Sequence, residues 1–179
     1  MSRARRAIGQ PWALAAVLVL AMSSARPAAA DDGESALSVG LAFATFTIPD
    51  HDGQGGALSL EYERGLSDAF WLRGAAAGAV HHGGDEDGTS YAGHAAVGLT
   101  YVIDVLKYVP YLHAGVGAVA LGGAELEEEL HPVAEIGIGL DILTRRGLSY
   151  GVFGRVSSFF DDSAFVTAGV RVTWRWGFF

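Results

Sequence analysis

The stretch AEIGIGLDI, residues 134–142, alternates large apolar residues with small or charged ones. One phase holds Ala134, Ile136, Ile138, Leu140 and Ile142, and the other holds Glu135, Gly137, Gly139 and Asp141. Side chains on a β-strand point alternately to opposite faces. This segment is therefore predicted to be a strand with one apolar face and one small or charged face.

The same alternation recurs along most of the chain and predicts eight strands. Their ranges are 36–48, 56–64, 69–80, 90–103, 109–122, 132–143, 148–160 and 164–178. Four connections, at 49–55, 81–89, 123–131 and 161–163, are acidic or rich in glycine, and the other three are compact turns. No segment has the periodicity of a long helix.

The predicted strands look inside-out for a soluble protein. The chain contains one lysine, Lys107, and it falls in a turn, whereas a water-facing sheet surface would be rich in lysine. The polar phase consists mainly of Gly, Ala and Ser with isolated charges, which suits the crowded lumen of a narrow barrel. The lengths also suffice, since a tilted strand crosses a bilayer in about 9 to 11 residues. The sequence predicts an all-β fold, an eight-stranded antiparallel up-and-down transmembrane β-barrel.

Aromatic residues gather at the predicted strand ends, as expected for girdles at the two membrane interfaces. Near the longer loops these are Phe46, Tyr91, Phe159, Phe160 and Phe165; near the short turns they are Tyr62, Phe70, Trp71, Tyr101, Tyr108, Tyr150, Trp174, Trp176 and Phe178.

The first thirty residues differ in composition from the rest. Three arginines precede an apolar run from Trp12 to Met22, and Ala28 to Ala30 follow before Asp31. This order predicts a cleavable signal peptide over 1–30 and a barrel domain over 31–179, with an uncleaved anchor as the alternative. Cleavage leaves eight Lys and Arg against twenty Asp and Glu, a net charge of −12. Such an acidic chain is unsuited to nucleic acid, and it has no cysteine for disulfides.

These features together resemble the small eight-stranded bacterial outer-membrane barrels, a class that includes OmpA-like, OmpX-like and OmpW-like proteins. The resemblance covers about residues 36 to 179 and rests on the signal peptide, the strand count, YVIDVLKYVPYLHAGVG at 101–117, and the aromatic C-terminus. It implies a Gram-negative outer-membrane location with the termini and short turns in the periplasm. It also implies contact with outer-membrane lipid and lipopolysaccharide, and recognition by the outer-membrane assembly machinery through Trp174, Trp176, Phe178 and Phe179. We expect a monomer.

Charged residues in the inward phase are candidates for ion pairs across the lumen. They are Glu61, Glu63, Glu135 and Asp141 against Arg73, Arg155, Arg171 and Arg175, with His94 and His113. Counting from the turn at 65–68 places Glu61 opposite Arg73. Counting from the loop at 123–131 places Asp141 opposite His113, with Glu135 one strand away from His94. We interpret these residues as a plug, because a buried charge without a partner costs several kcal/mol. The alternative is a water-filled or ligand-sized lumen, which Tyr111 and Phe153 would help to block.

Loop residues offer one candidate metal site, His81, His82, Asp85, Glu86 and Asp87, because imidazole and carboxylate together suit Zn²⁺. The spacing matches no defined motif, so we interpret the segment as a solvated acidic loop and predict no metal, no cofactor and no catalytic residue. Lipid-modifying enzymes occur among similar barrels, but Ser157 and Ser158 have no His and acid arranged around them in sequence. The predicted function is a structural or surface barrel with an occluded lumen. The alternatives are a narrow, porin-like OmpW-type conduit, an adhesin or binding module, and a lipid-modifying enzyme.

Overall fold

The fold is a closed barrel of eight antiparallel strands, as predicted. The computed structural model describes residues 33–48, 51–82, 88–103, 107–123, 129–145, 147–160 and 163–177. The strands are β1 (Ser35–Ile48), β2 (His51–Gly65), β3 (Phe70–His82), β4 (Thr89–Val102), β5 (Tyr108–Gly123), β6 (Glu129–Arg145), β7 (Leu148–Ser158) and β8 (Ala164–Trp176). Each pairs with the next, and β8 pairs with β1, so the sheet has no open edge. The described ranges include no helix long and apolar enough to cross a membrane.

Two strands begin three or more residues earlier than predicted. β2 starts at His51 instead of 56, and β6 starts at Glu129 instead of 132. The stretch 51–55 reads as a loop because it is polar and rich in glycine, but its backbone pairs with Ala44–Ile48 of β1. Pairing satisfies the hydrogen-bonding groups of the backbone whatever the side chains are. The β1–β2 pairing therefore continues beyond the segment in which apolar and polar residues alternate.

The apolar phase of each strand faces outward, as the pattern indicates. Leu41, Ile136 and Ile138 are 64%, 65% and 61% exposed, whereas Glu61, Arg73 and Glu135 are 2%, 1% and 1% exposed. Soluble proteins bury such leucines and isoleucines and expose the charges. The outer surface is therefore built to contact hydrocarbon, and the charged face lines the barrel interior.

One glycine shows how closely the interior is packed. Gly139 on β6 lies directly opposite Tyr111 on β5, and a Cβ at Gly139 would meet the Tyr111 ring. The aromatic ring occupies the space that a side chain at residue 139 would need, so the small residue is required there.

The aromatic prediction is only partly correct. Tyr91, Tyr101, Tyr108, Tyr150, Trp174 and Trp176 are exposed on the outer surface as predicted, with Phe70 and Phe160. Phe46, Trp71, Phe159 and Phe165 instead face the interior and are at most 6% exposed. The phase of the alternation explains the error: Phe46 and Phe165 share the phase of the inward residues on β1 and β8. Phe178 and Phe179 lie outside the described residues.

Candidate functional site in the barrel lumen

The candidate site is the lumen, where the inward charges form one connected cluster. We call the four carboxylates Glu61, Glu63, Glu135 and Asp141 and the four arginines Arg73, Arg155, Arg171 and Arg175 the lumen ion network. Each of these side chains is at most 12% exposed. The strands that carry them surround the axis, so the charges meet across the barrel and not only along neighbouring strands.

Glu61 on β2 is the hub of the network because it contacts three arginines. Arg73 Nε donates to its Oε2 at 3.0 Å, and Arg171 Nη1 lies 3.4 Å from the same oxygen. Arg155 Nη2 donates to Oε1. Among the described residues, Glu61 is the carboxylate that Arg155 contacts.

Glu135 on β6 is the second centre. Arg73 Nη1 donates to its Oε1 at 2.6 Å, so Arg73 bridges Glu61 and Glu135. His94 Nε2 lies 3.1 Å from Oε2, and His113 Nε2 lies 3.3 Å from Oε1. Both predicted histidines therefore contact the same carboxylate.

Asp141 on β6 anchors the end of the lumen nearest the short turns. Arg171 binds it through two nitrogens, with Nε 3.0 Å from Oδ1 and Nη2 2.9 Å from Oδ2. Arg175 Nη2 lies 3.3 Å from Oδ2. Bidentate guanidinium–carboxylate pairs of this kind are the stronger and more specific ones.

Glu63 is held differently from the other carboxylates. The Thr100 hydroxyl donates to Glu63 Oε1 at 2.7 Å, and Arg171 Nη1 is 4.0 Å from Oε2. Thr100 was missed by sequence reasoning. Thr100 lies in the inward phase of β4, and this phase could have identified it, because an inward hydroxyl can donate to a buried carboxylate.

The predicted cross-strand registers are wrong, although the faces are right. Glu63, not Glu61, lies opposite Arg73, and Val109, not His113, lies opposite Asp141. Arg73 nevertheless reaches Glu61 because its side chain is long and leans along the strand. Glu135 and His94 lie on strands separated by β5, and their side chains meet in the lumen.

Aromatic rings pack against the arginines in the same region. The Arg171 guanidinium lies 4.1 Å from the centre of the Tyr111 ring, and that of Arg155 lies 4.6 Å from the Phe153 ring. Tyr111 and Phe153 are 3% and 5% exposed. Both rings therefore occupy the lumen, as the sequence indicated, and add cation–π contacts to the network.

The lumen end nearest the longer loops is apolar, which sequence reasoning missed. A buried cluster fills it, and we call this cluster the apolar cap: Phe46, Val119, Leu121, Val133, Phe159 and Phe165, with Ala44, Ala57, Ala79 and Ala92. The cap lies in series with the ion network, between the network and the longer loops. Two chemically different layers of buried side chains thus lie along one lumen.

The candidate metal site is not supported by the geometry. His81 and His82 lie on β3, not in a loop, and their side chains point to opposite faces, with His81 0% exposed. The His81 ring packs edge-on against Phe46, with centroids 4.8 Å apart. Asp85, Glu86 and Asp87 lie outside the described residues, and the described part of the chain has no cluster suited to a metal ion.

The serines do not form a nucleophile system in the described residues. Ser157 is fully buried and its hydroxyl donates directly to Glu135 at 3.4 Å, with no imidazole between them. Hydrolases of the Ser-His-acid type require the imidazole between the serine and the carboxylate. Ser158 faces outward, and its register partners are Ala134 and Ala164.

Comparison with solved structures places this geometry among outer-membrane barrels. The attachment invasion locus protein Ail of Yersinia pestis superposes with a TM-score of 0.62 at 17% identity, covering 81% of this chain and 99% of Ail. Neisserial surface protein A (NspA) gives 0.58 at 16% identity, covering 79% and 99%. The outer membrane enzyme PagL gives 0.51 at 19%, covering 78% and 97%. No protein-family model matches the chain, and no curated protein matches it.

The fold is that of the small eight-stranded outer-membrane β-barrels. The solved structures that share it include an attachment invasion protein, a surface protein and an enzyme at similar TM-scores. The fold is shared among proteins with different activities, so a role for this chain has to be argued from its own lumen and surface.

Proposed function

We propose that this protein is a monomeric structural or surface component of a bacterial outer membrane, with a lumen closed to solutes. The observation that carries the proposal is the double filling of the lumen by the ion network and the apolar cap. An eight-stranded barrel is only just wide enough for side chains to fill it. Here large side chains fill it at both levels.

The outer surface supports the membrane location. Exposed leucine, isoleucine and valine side chains face outward along the strands, with tyrosine and tryptophan toward the ends. The sequence of 1–30 supports export. The longer loops are acidic, whereas the short turns carry the basic residues Lys107, Arg145 and Arg146, and this difference in charge supports an orientation with the longer loops outside the cell. Divalent ions bridging the acidic loops to lipopolysaccharide would then stabilise the outer face.

Catalysis is not part of the proposal. PagL is 19% identical to this chain, and a shared fold at that identity does not imply a shared activity. A lipid-modifying site would need a nucleophile and a base reachable from the hydrocarbon. In the described residues the outward Ser158 and the outward His82 lie on β7 and β3, on separate sides of the barrel.

Planar-bilayer recording of the refolded protein tests the closed lumen. We expect no reproducible unitary conductance from the parent protein, and unitary steps from it would contradict the proposal. The variant Phe46→Ala/Phe165→Ala removes aromatic rings of the cap, and Glu61→Ala/Arg73→Ala removes one carboxylate and one arginine from the network. Because the two layers lie in series, each double variant is expected to stay closed, whereas the quadruple variant is expected to conduct.

Heat-modifiable migration on a gel accompanies every recording, because it reports a folded barrel. A quadruple variant that is folded and silent would contradict the two-layer account. A conduit function would instead give conductance in the parent and a changed conductance in Glu61→Ala/Arg73→Ala.

A further inference from the structure

We propose that the apolar cap is sensitive to pH: protonation of His81 loosens it and admits water to the loop end of the lumen. The inference rests on the proposed function, because a lumen that is already open has no cap to release. It concerns a group that the ion network does not use.

His81 lies inside the cap without a polar partner. Its ring meets Phe46 at 4.8 Å with an interplanar angle of 84° and Phe165 at 6.0 Å with an angle of 74°. In the described part of the chain neither Nδ1 nor Nε2 has a hydrogen-bond partner. The residue is 0% exposed. A neutral imidazole can be held this way by packing alone.

A proton on His81 changes this balance. The imidazolium carries a positive charge and two N–H donors, and burying it without partners costs several kcal/mol. Water has to reach the ring for the charge to be solvated. Since Phe46 and Phe165 cover the ring, at least one of them has to move.

The charged groups around the cap do not supply a counterion in the described residues. The register partners of His81 are Gly55 on β2 and Ser90 on β4, and neither ionises. Of the acids whose side chains the structure describes, Glu135 on β6 is two residues from Val133 of the cap, and Arg73 and His94 already contact it. β1 and β8 present phenylalanines to the ring.

Two other histidines lie near the cap, and one of them, His94, differs from His81 in having a carboxylate beside it. His94 on β4 has its ring 6.3 Å from Phe165, but its Nε2 is 3.1 Å from Glu135 Oε2. His131 on β6 meets Phe159 edge-on at 5.3 Å. Because His94 has a carboxylate beside it, a proton there does not require the cap to open. His94 is therefore the matched control imidazole.

The size of the effect follows from linkage. An imidazole in water titrates near pH 6.5, and if only the open cap accepts the proton, the open population grows tenfold per pH unit below that value. Between pH 7.5 and 5.0 the open population is therefore expected to rise about 30-fold.

The experiment uses the absence of cysteine in the chain. Val119→Cys places one thiol in the cap, where Val119 is 0% exposed, and Leu130→Cys places one on the exposed surface near the same end, opposite the non-ionising Ala120. The protein is refolded into lipid nanodiscs and treated with methyl methanethiosulfonate, which is uncharged. The rate at residue 119 divided by the rate at residue 130 corrects for the general effect of pH on thiol reactivity.

The rate ratio is expected to rise about 30-fold from pH 7.5 to 5.0 with His81 present. It is expected to stay constant in His81→Phe and His81→Leu, and to rise as in the parent in His94→Gln. Two replacements of His81 are used because one could disturb folding, and gel migration checks each. A constant ratio in the parent, or an equal rise in both folded His81 variants, would overturn the proposal.

NMR of the unmutated protein gives an independent readout of the same event. The His81 imidazole is expected to titrate together with the ring signals of Phe46 and Phe165. Titration of His81 with those rings unmoved would also overturn the proposal. Rapid labelling of residue 119 already at pH 7.5 would instead contradict the closed lumen of the proposed function, so the two failures are distinguishable.

Discussion

Neutralising the hub carboxylate with Glu61→Gln should destabilise the barrel by about 3–5 kcal/mol, the range for breaking a buried ion pair. The contacts show where this cost arises. Arg171 keeps its two bonds to Asp141, and Arg73 keeps its bond to Glu135. Arg155 keeps no carboxylate among the described residues. One buried guanidinium is therefore left without a counterion.

Glu63→Gln is the matched control on the same strand and face. Glu63 contacts the Thr100 hydroxyl at 2.7 Å and Arg171 at 4.0 Å, so its neutralisation leaves no arginine without a carboxylate. We expect a loss of about 1–2 kcal/mol. The double variant Glu61→Gln/Arg155→Gln should recover more than half of the Glu61→Gln loss, since it removes the uncompensated charge.

Urea unfolding in lipid vesicles measures these differences, followed by tryptophan fluorescence and by gel migration. Equal losses of stability in Glu61→Gln and Glu63→Gln would show that Glu61 is not the hub. A double variant less stable than Glu61→Gln alone would show that the orphaned Arg155 is not the source of the cost.

The remaining predictions concern the outer face, the packing of the lumen and assembly. Ile138→Arg at the middle of β6 should cost about 2–4 kcal/mol in the same unfolding assay, while Thr144→Arg near the strand end should cost under about 1 kcal/mol; equal losses would argue against a lipid-facing strand centre. Gly139→Ala should cost about 1–3 kcal/mol because its Cβ meets the Tyr111 ring. Adding Tyr111→Leu should relieve part of that loss, and strictly additive losses would show that the contact is not the cause. Deleting residues 178–179 should lower the amount of folded barrel recovered from cell membranes without changing the stability of what is recovered, and unchanged recovery would contradict an assembly signal there.

The number of strands and the face of each inward charge could be predicted from the sequence because both follow from a period of two. Glu61, Arg171 and Asp141 were assigned to the lumen by phase alone, and the structure places them there. Phase is a local property of the chain, so no knowledge of neighbouring strands was needed.

The position of each residue along the barrel axis, and hence its partner on the neighbouring strand, could not be predicted in the same way. Register depends on where a turn begins and ends, and the boundary of β6 was misplaced by three residues. Both register errors are an even number of residues, which keeps the face and changes only the height. His113 thus contacts Glu135 and not Asp141.

The apolar cap was missed for a different reason. Phe46 and Phe165 stand near strand ends, where aromatics are expected at the membrane interface, so their position alone predicts that they face outward. Their phase matches that of Ala44 and Thr167, which are 0% and 2% exposed. Where position and phase disagree, phase decides, because a strand cannot turn one side chain to the other face without a bulge.

If the apolar face contacts lipid and the charged face fills the lumen, the accessibility of side chains alternates along β6. Spin labels at single cysteines on this strand in lipid bilayers measure the alternation, with oxygen as the apolar collider and a nickel chelate as the polar one. Residues 136, 138 and 140 are expected to be accessible to oxygen, and residues 135 and 141, where the label replaces a carboxylate, are expected to be shielded from both colliders. Access of the nickel chelate to 136, 138 and 140, or equal accessibility of all five residues, would contradict a lipid-facing apolar surface.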